Sequence, residues 1–181
     1  MVTAVPMVPA QAATVAGVCG VLNPPTTTMP MELTLSSSNA VLVPGPMSWG
    51  VSASGTCLDS DGMTTLGSGS LSGTISSATV PTTAVRVAGC VSGVSEGTLT
   101  FNVSSTGPVG AAAKVVHVGA VLVIVVTRTP LSGSAPLFAG TGVFVLDPVK
   151  TPQTYDGVVA CGTASNNVTL HFLGTFAFAQ S

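Results

Sequence analysis

The sequence predicts an all-β fold: an antiparallel β-sandwich of Greek-key or immunoglobulin-like style, with a closed β-barrel as the alternative. Three observations carry this expectation. Four basic and six acidic side chains make 6% of the 181 residues charged, where an ordinary soluble domain has about a quarter. Valine, threonine, serine, glycine and alanine take their place, and β-branched residues suit a pleated sheet better than a helix. Apolar residues recur at every second position, the period of a strand whose two faces differ. Turn signals cut these runs short, at Asn23-Pro24-Pro25, Pro44-Gly45-Pro46, Asp59-Ser60-Asp61-Gly62, Thr106-Gly107-Pro108, Asp147-Pro148 and Asp156-Gly157. That spacing corresponds to about nine or ten strands.

Taken in order, residues 1–18 read as a signal-peptide remnant or an extended N-terminal arm, and residues 19–181 as a single β domain. Ala4 to Ala13 ends in small residues like a cleavage region, but no basic segment precedes it and Pro6 and Pro9 break its apolar part. Met31-Glu32-Leu33-Thr34-Leu35 alternates cleanly, as do Ser48 to Ala53 and Ser70 to Ile75. Thr98 to Val103 puts Leu99, Phe101 and Val103 on one face. Gly107 to Lys114 reads as a loop feeding the next strand. Val115 to Val126 is an apolar run of about twelve residues, short of the ~20 a spanning helix needs. Its β-branched content predicts one strand buried on both faces. Gly142 to Leu146 is a short apolar strand closed by Asp147-Pro148. At the end, Val168, Leu170, Phe172, Phe176 and Phe178 share one parity, and Gly174 between them suggests a bulge or bend.

The four cysteines, Cys19, Cys57, Cys90 and Cys161, include no C-x-x-C pair. Even in number and widely spaced, they point to two disulfides and an oxidising compartment. Of three pairings, Cys19–Cys57 with Cys90–Cys161 is favoured because each staple then stays within its own half of the chain.

Chemistry-bearing residues are few. His117 and His171 each lie between apolar neighbours in a strand, and a metal site would need both to converge with a carboxylate. Asp59 and Asp61 resemble the opening of a calcium loop, yet the twelfth position holds Ser70 where an EF-hand wants glutamate. Calcium held with backbone carbonyls and a plain Asp-Gly hairpin turn both remain open there, the turn being favoured. Gly67-Ser68-Gly69-Ser70 only approximates a nucleophile elbow, and no helix follows it. The carboxylates Glu32, Glu96, Asp59, Asp61, Asp147 and Asp156 fall mostly beside turns. The sequons at Asn102 and Asn167 fall within expected strands. Trp49, the one tryptophan, is expected as a core anchor. Arg86, Lys114, Arg128 and Lys150 are scattered, and nucleic-acid binding needs clustered positive charge.

The segments SASGTCLDSDG (residues 52–62), GSGSLSGTIS (67–76) and GTGVFVLDPVKTPQTYDGVVACG (140–162) resemble a group of secreted actinobacterial proteins. These are low in charge, rich in Thr, Gly, Val and Ser, and carry paired cysteines without an assigned activity. The resemblance is one of composition. It implies an exported β-rich fold and nothing about a substrate.

The expectation is therefore a non-catalytic extracellular or cell-surface protein with a structural or adhesive role, a self-assembling fibre or surface-layer subunit. Its expected partners are further copies of itself and the cell surface, without nucleic acid, cofactor, metal or transmembrane span. The N-terminal arm would suit strand exchange between neighbours. The alternative is a carrier of a small apolar ligand in a β-barrel or inter-sheet cavity.

Overall fold

The computed structural model describes residues 15–20, 29–37, 45–62, 64–80, 92–105, 107–118, 120–128, 137–151, 153–154, 157–158 and 168–181. They form eleven strands: β1 (Val15–Cys19), β2 (Met31–Ser37), β3 (Gly45–Asp59), β4 (Thr65–Val80), β5 (Ser92–Val103), β6 (Gly107–Val118), β7 (Val121–Arg128), β8 (Phe138–Leu146), β9 (Gln153–Thr154), β10 (Gly157–Val158) and β11 (Val168–Gln180). The short β9 and β10 pair only with each other. The remaining nine make one antiparallel sheet in which β11 also pairs with β8. That pairing closes the sheet into a barrel, the alternative the sequence allowed, rather than the sandwich. Neighbouring strands from β2 to β8 follow chain order, so the path is an up-and-down meander and not a Greek key.

The first stave is composite. β1 pairs with the end of β11 and with β3, while β2 pairs with the start of β11 and continues along β3. The barrel thus has eight staves, the first split between β1 and β2. At the break, the Gly20 amide still donates to the Thr56 carbonyl at 3.0 Å, and Gly20 adopts φ 81°. A side chain there would run into the Met31 amide and the Gly174 carbonyl, so only glycine fits at this point. Residues 15–18 of the expected arm therefore complete this chain's own barrel. Residues 1–14 lie outside the described residues.

Alternation decides what fills the inside. Met31, Leu33 and Leu35, Trp49, Val51 and Ala53, Leu99, Phe101 and Val103, and Leu170, Phe172, Phe176 and Phe178 are all buried, as their parity predicts. All six phenylalanines and the tryptophan lie in this core. Phe101 stands at its aromatic centre, with ring centroids 5.2 Å from Phe138, 5.3 Å from Phe176 and 4.6 Å from Phe178.

Three local expectations are corrected. Gly107 to Lys114 is no loop but the first part of β6, whose alternate residues Val109, Ala111 and Ala113 point inward. The run Val115 to Val126 is not one strand: Val118 pairs with Val121, so the chain reverses between them and β6 and β7 form a hairpin. Nor is it buried on both faces, because Val118, Val121 and Val125 are 63%, 41% and 43% exposed. Gly174 is not a bulge. The β8–β11 register runs unbroken past it, and a Cβ there would strike the Val143 carbonyl. It is glycine because two staves approach closely.

Candidate interaction surface

The two histidines do not converge. His117 faces inward, 6% exposed, edge-on to Phe172 with centroids 5.5 Å apart. His171 has the opposite parity to the inward Leu170 and Phe172, and its Nδ1 lies 3.4 Å from the Thr34 hydroxyl. Among the described residues no cluster of three His, Cys, Asp or Glu side chains could hold a metal ion.

The aspartates of the β3–β4 connection cap its turn. Asp59 Oδ1 accepts from the Asp61 amide at 3.1 Å, and Asp61 Oδ1 accepts from the Thr64 amide at 3.2 Å. Gly62, at φ 72°, donates its amide to the Asp59 carbonyl at 2.9 Å. This is the Asx-turn chemistry that makes Asp-Gly a turn former. Asp147 acts similarly after β8: its Oδ1 accepts from the Val149 amide at 2.9 Å. That turn brings Thr151, 2% exposed, to accept from the His171 amide at 2.8 Å. Lys150 at the same turn meets Glu32 at 3.0 Å in an exposed ion pair. Such a pair contributes at most about 1 kcal/mol.

Cys19 and Cys57 sit directly opposite each other on β1 and β3 and form a disulfide, both fully buried. Gly69 makes room for it, since a Cβ there would strike the Cys57 sulfur. Cys90 and Cys161 lie outside the described residues, as do Asp156 and Asn167. Asn102 lies on β5, exposed.

Around Gly140 and Gly142 the interior is occupied. A Cβ added at inward-facing Gly142 would lie 2.5 Å from Phe144 Cε2 and 2.9 Å from Phe176 Cδ2. At Gly140 it would strike the Phe176 ring. Protein cores are packed like organic crystals, and around these glycines the barrel has no space even for a methyl group.

What distinguishes this barrel is its outside, which is divided lengthwise. Over β2 to β5 the outward residues are mostly hydroxylic. Cross-strand rows read Thr34–Ser52–Ser72–Thr100 and Ser36–Gly50–Thr74–Thr98. Over most of β6, β7, β8 and the second half of β11 they are largely apolar. One row is Val118–Val121–Val145–Leu173 and the next Val116–Val123–Val143–Thr175. Two further rows are Lys114–Val125–Thr141–Ala177 and Ala112–Thr127–Ala139–Ala179. Val143 and Val145 are 49% and 52% exposed. Within these rows the single charge, Lys114, lies opposite Glu96 on β5. The first two rows form a ridge of branched side chains. The last two, built mainly from Ala and Thr, border a hollow of about 280 Å³ lined by Val125, Thr127, Ala139, Thr141, Ala177 and Ala179 among others.

Sequence reading placed these strands but missed this face. The available signal is the apolar, β-branched content on both parities of β7, which by itself predicts burial on both sides. Comparison of the chain with protein-family models, curated proteins and solved structures finds no match.

Proposed function

We propose that this barrel works by contact rather than chemistry, as a non-catalytic extracellular protein with a structural or adhesive role that includes self-association. The observation that carries the reading is the contrast between an interior packed with aromatic rings around Phe101, Gly140 and Gly142 and a two-sided exterior. All six phenylalanines and the tryptophan are spent on the core, and the described titratable groups are dispersed over turns and separate faces. A contiguous apolar face of four strands is left outside, and soluble monomers rarely expose such patches beyond a few hundred Å².

A net charge of −2 offers little repulsion between copies. The buried disulfide is compatible with an oxidising, extracellular setting. No helix of the described residues is long and apolar enough to cross a membrane. A lipid-facing barrel carries its outward apolar band around the whole circumference, with a polar interior; here the apolar residues cover one side and the interior is aromatic. The carrier alternative needs internal room, and the crowding around Gly140 and Gly142 leaves it little support.

The test is fractionation of the natural host together with sedimentation of the purified protein. The reading expects the protein outside the cell or on its surface, in assemblies larger than one chain. A freely diffusing monomer at every concentration tested would overturn it.

A further inference from the structure

We propose that the valine face of β6, β7, β8 and β11 is the contact between two copies of this chain, related by a two-fold axis lying in the face at right angles to the strands. The inference rests on the reading of the protein as self-associating and names the surface and its partner.

Four features select a second copy. The first is size. Four strands about 4.8 Å apart, with outward residues about 6.8 Å apart along each, cover roughly 500 Å². Two such faces together bury at most about 1,000 Å², the size at which a specific protein interface begins, and the curvature of the eight-stave barrel centres the contact on β7 and β8. The second is chemistry. Sheets pack face to face through interdigitating apolar side chains, and this face presents β-branched and small residues. Anchors for a lipid surface are typically several Trp, Phe or Leu beside Lys and Arg, whereas every Phe and Trp here is inside and the four rows carry one leucine, Leu173, and one lysine, Lys114. The third is charge: Lys114 is the only ionisable residue in the four rows and faces Glu96 across the β5–β6 ladder.

The fourth feature is shape, and it fixes the symmetry. The ridge around Val143 and Val145 occupies one end of the strands, and the hollow around Ala139, Ala177 and Ala179 occupies the other. A two-fold axis parallel to the strands would set ridge against ridge. An axis across them reverses the strand direction, so each ridge enters the partner's hollow. One surface is then complementary to itself, as a two-fold interface must be.

Sedimentation velocity across low to high micromolar concentration, with two single-charge variants, tests this. Wild-type protein is expected to dimerise. Val143→Lys puts an ammonium on the ridge and Thr141→Glu a carboxylate in the hollow on the same strand, which the two-fold sets opposite it. Each alone is expected to weaken the dimer at least about 100-fold, because a charge is buried without a partner. Mixed one to one, they are expected to recover dimer, since the lysine ridge of one meets the glutamate hollow of the other. Both positions are exposed, and near-ultraviolet circular dichroism checks that each variant keeps the wild-type core.

Assemblies that form equally well with Val143→Lys would sink this face while leaving self-association intact. Variants that fail to recover on mixing would sink the ridge-in-hollow geometry. Loss of dimer in Ser72→Glu, on the hydroxyl side, would move the contact elsewhere. A wild-type monomer that floats with phosphatidylcholine vesicles would assign the face to lipid. One that neither assembles nor floats would remove the self-association reading as well.

Discussion

Replacing Phe101 with alanine removes the ring at which three others meet. Phe101 is fully buried on β5, and Phe138, Phe176 and Phe178 on β8 and β11 close on it from across the barrel. Deleting a buried phenylalanine costs about 3–5 kcal/mol through lost transfer energy and the cavity left behind. The upper half of that range applies here, because the side chain belongs to closed staves that cannot collapse inward. Ring pairs also add roughly 0.5–1.5 kcal/mol beyond buried area. For a domain of this size each kcal/mol moves the melting midpoint by about 2–4 °C, so Phe101→Ala is expected to melt about 10–20 °C below wild type. The same cavity, dry and lined by aromatics, should take up benzene or xenon as engineered apolar cavities do. Thermal melts followed by near-ultraviolet circular dichroism, run with and without benzene, read both effects. Stabilisation of the variant by benzene, with none for wild type, is the expected pattern. A loss under about 1 kcal/mol, or equal benzene binding by wild type, would refute the argument that the barrel is full and would revive the carrier.

Gly142→Ala is expected to cost about 1–3 kcal/mol by overpacking, whereas Gly110→Ala on open outer surface should be neutral or stabilise by up to about 1 kcal/mol; paired urea titrations measure the difference. The Cys19–Cys57 bridge closes a loop with sequence separation 38, and the loop-entropy relation assigns it about 4 kcal/mol. The double variant Cys19→Ala with Cys57→Ala should lower the urea midpoint accordingly. Thr151→Val removes the acceptor of the His171 amide while keeping its shape, at a cost of about 1–3 kcal/mol. Hydrogen exchange at that amide should accelerate more than at its strand neighbours.

How much was legible in the chain depended on whether a signal was local. The parity of Leu33 and Leu35, of Leu99 and Phe101, and of Phe172 to Phe178 named inward faces that the structure keeps. Asp59-Ser60-Asp61-Gly62 announced its turn through its own side chains. The valine run from 115 to 126 misled because apolar residues on both parities have two causes. Either both faces are buried, or one is buried and the other stands exposed on the outside, as here. A periodicity cannot tell them apart.

Strand existence, inward parity and scarcity of charge were determined by the chain alone, because each follows from how a few adjacent residues meet water. Barrel closure was decided by the tertiary structure, through the pairing of β8 with β11 and the splice of β1 onto β2 around Gly20. So was the placement of the two histidines on opposite sides of the wall. These depend on which distant segments become neighbours. Only the closed ring could gather the outward valines of three strands and the small residues of a fourth onto a single side.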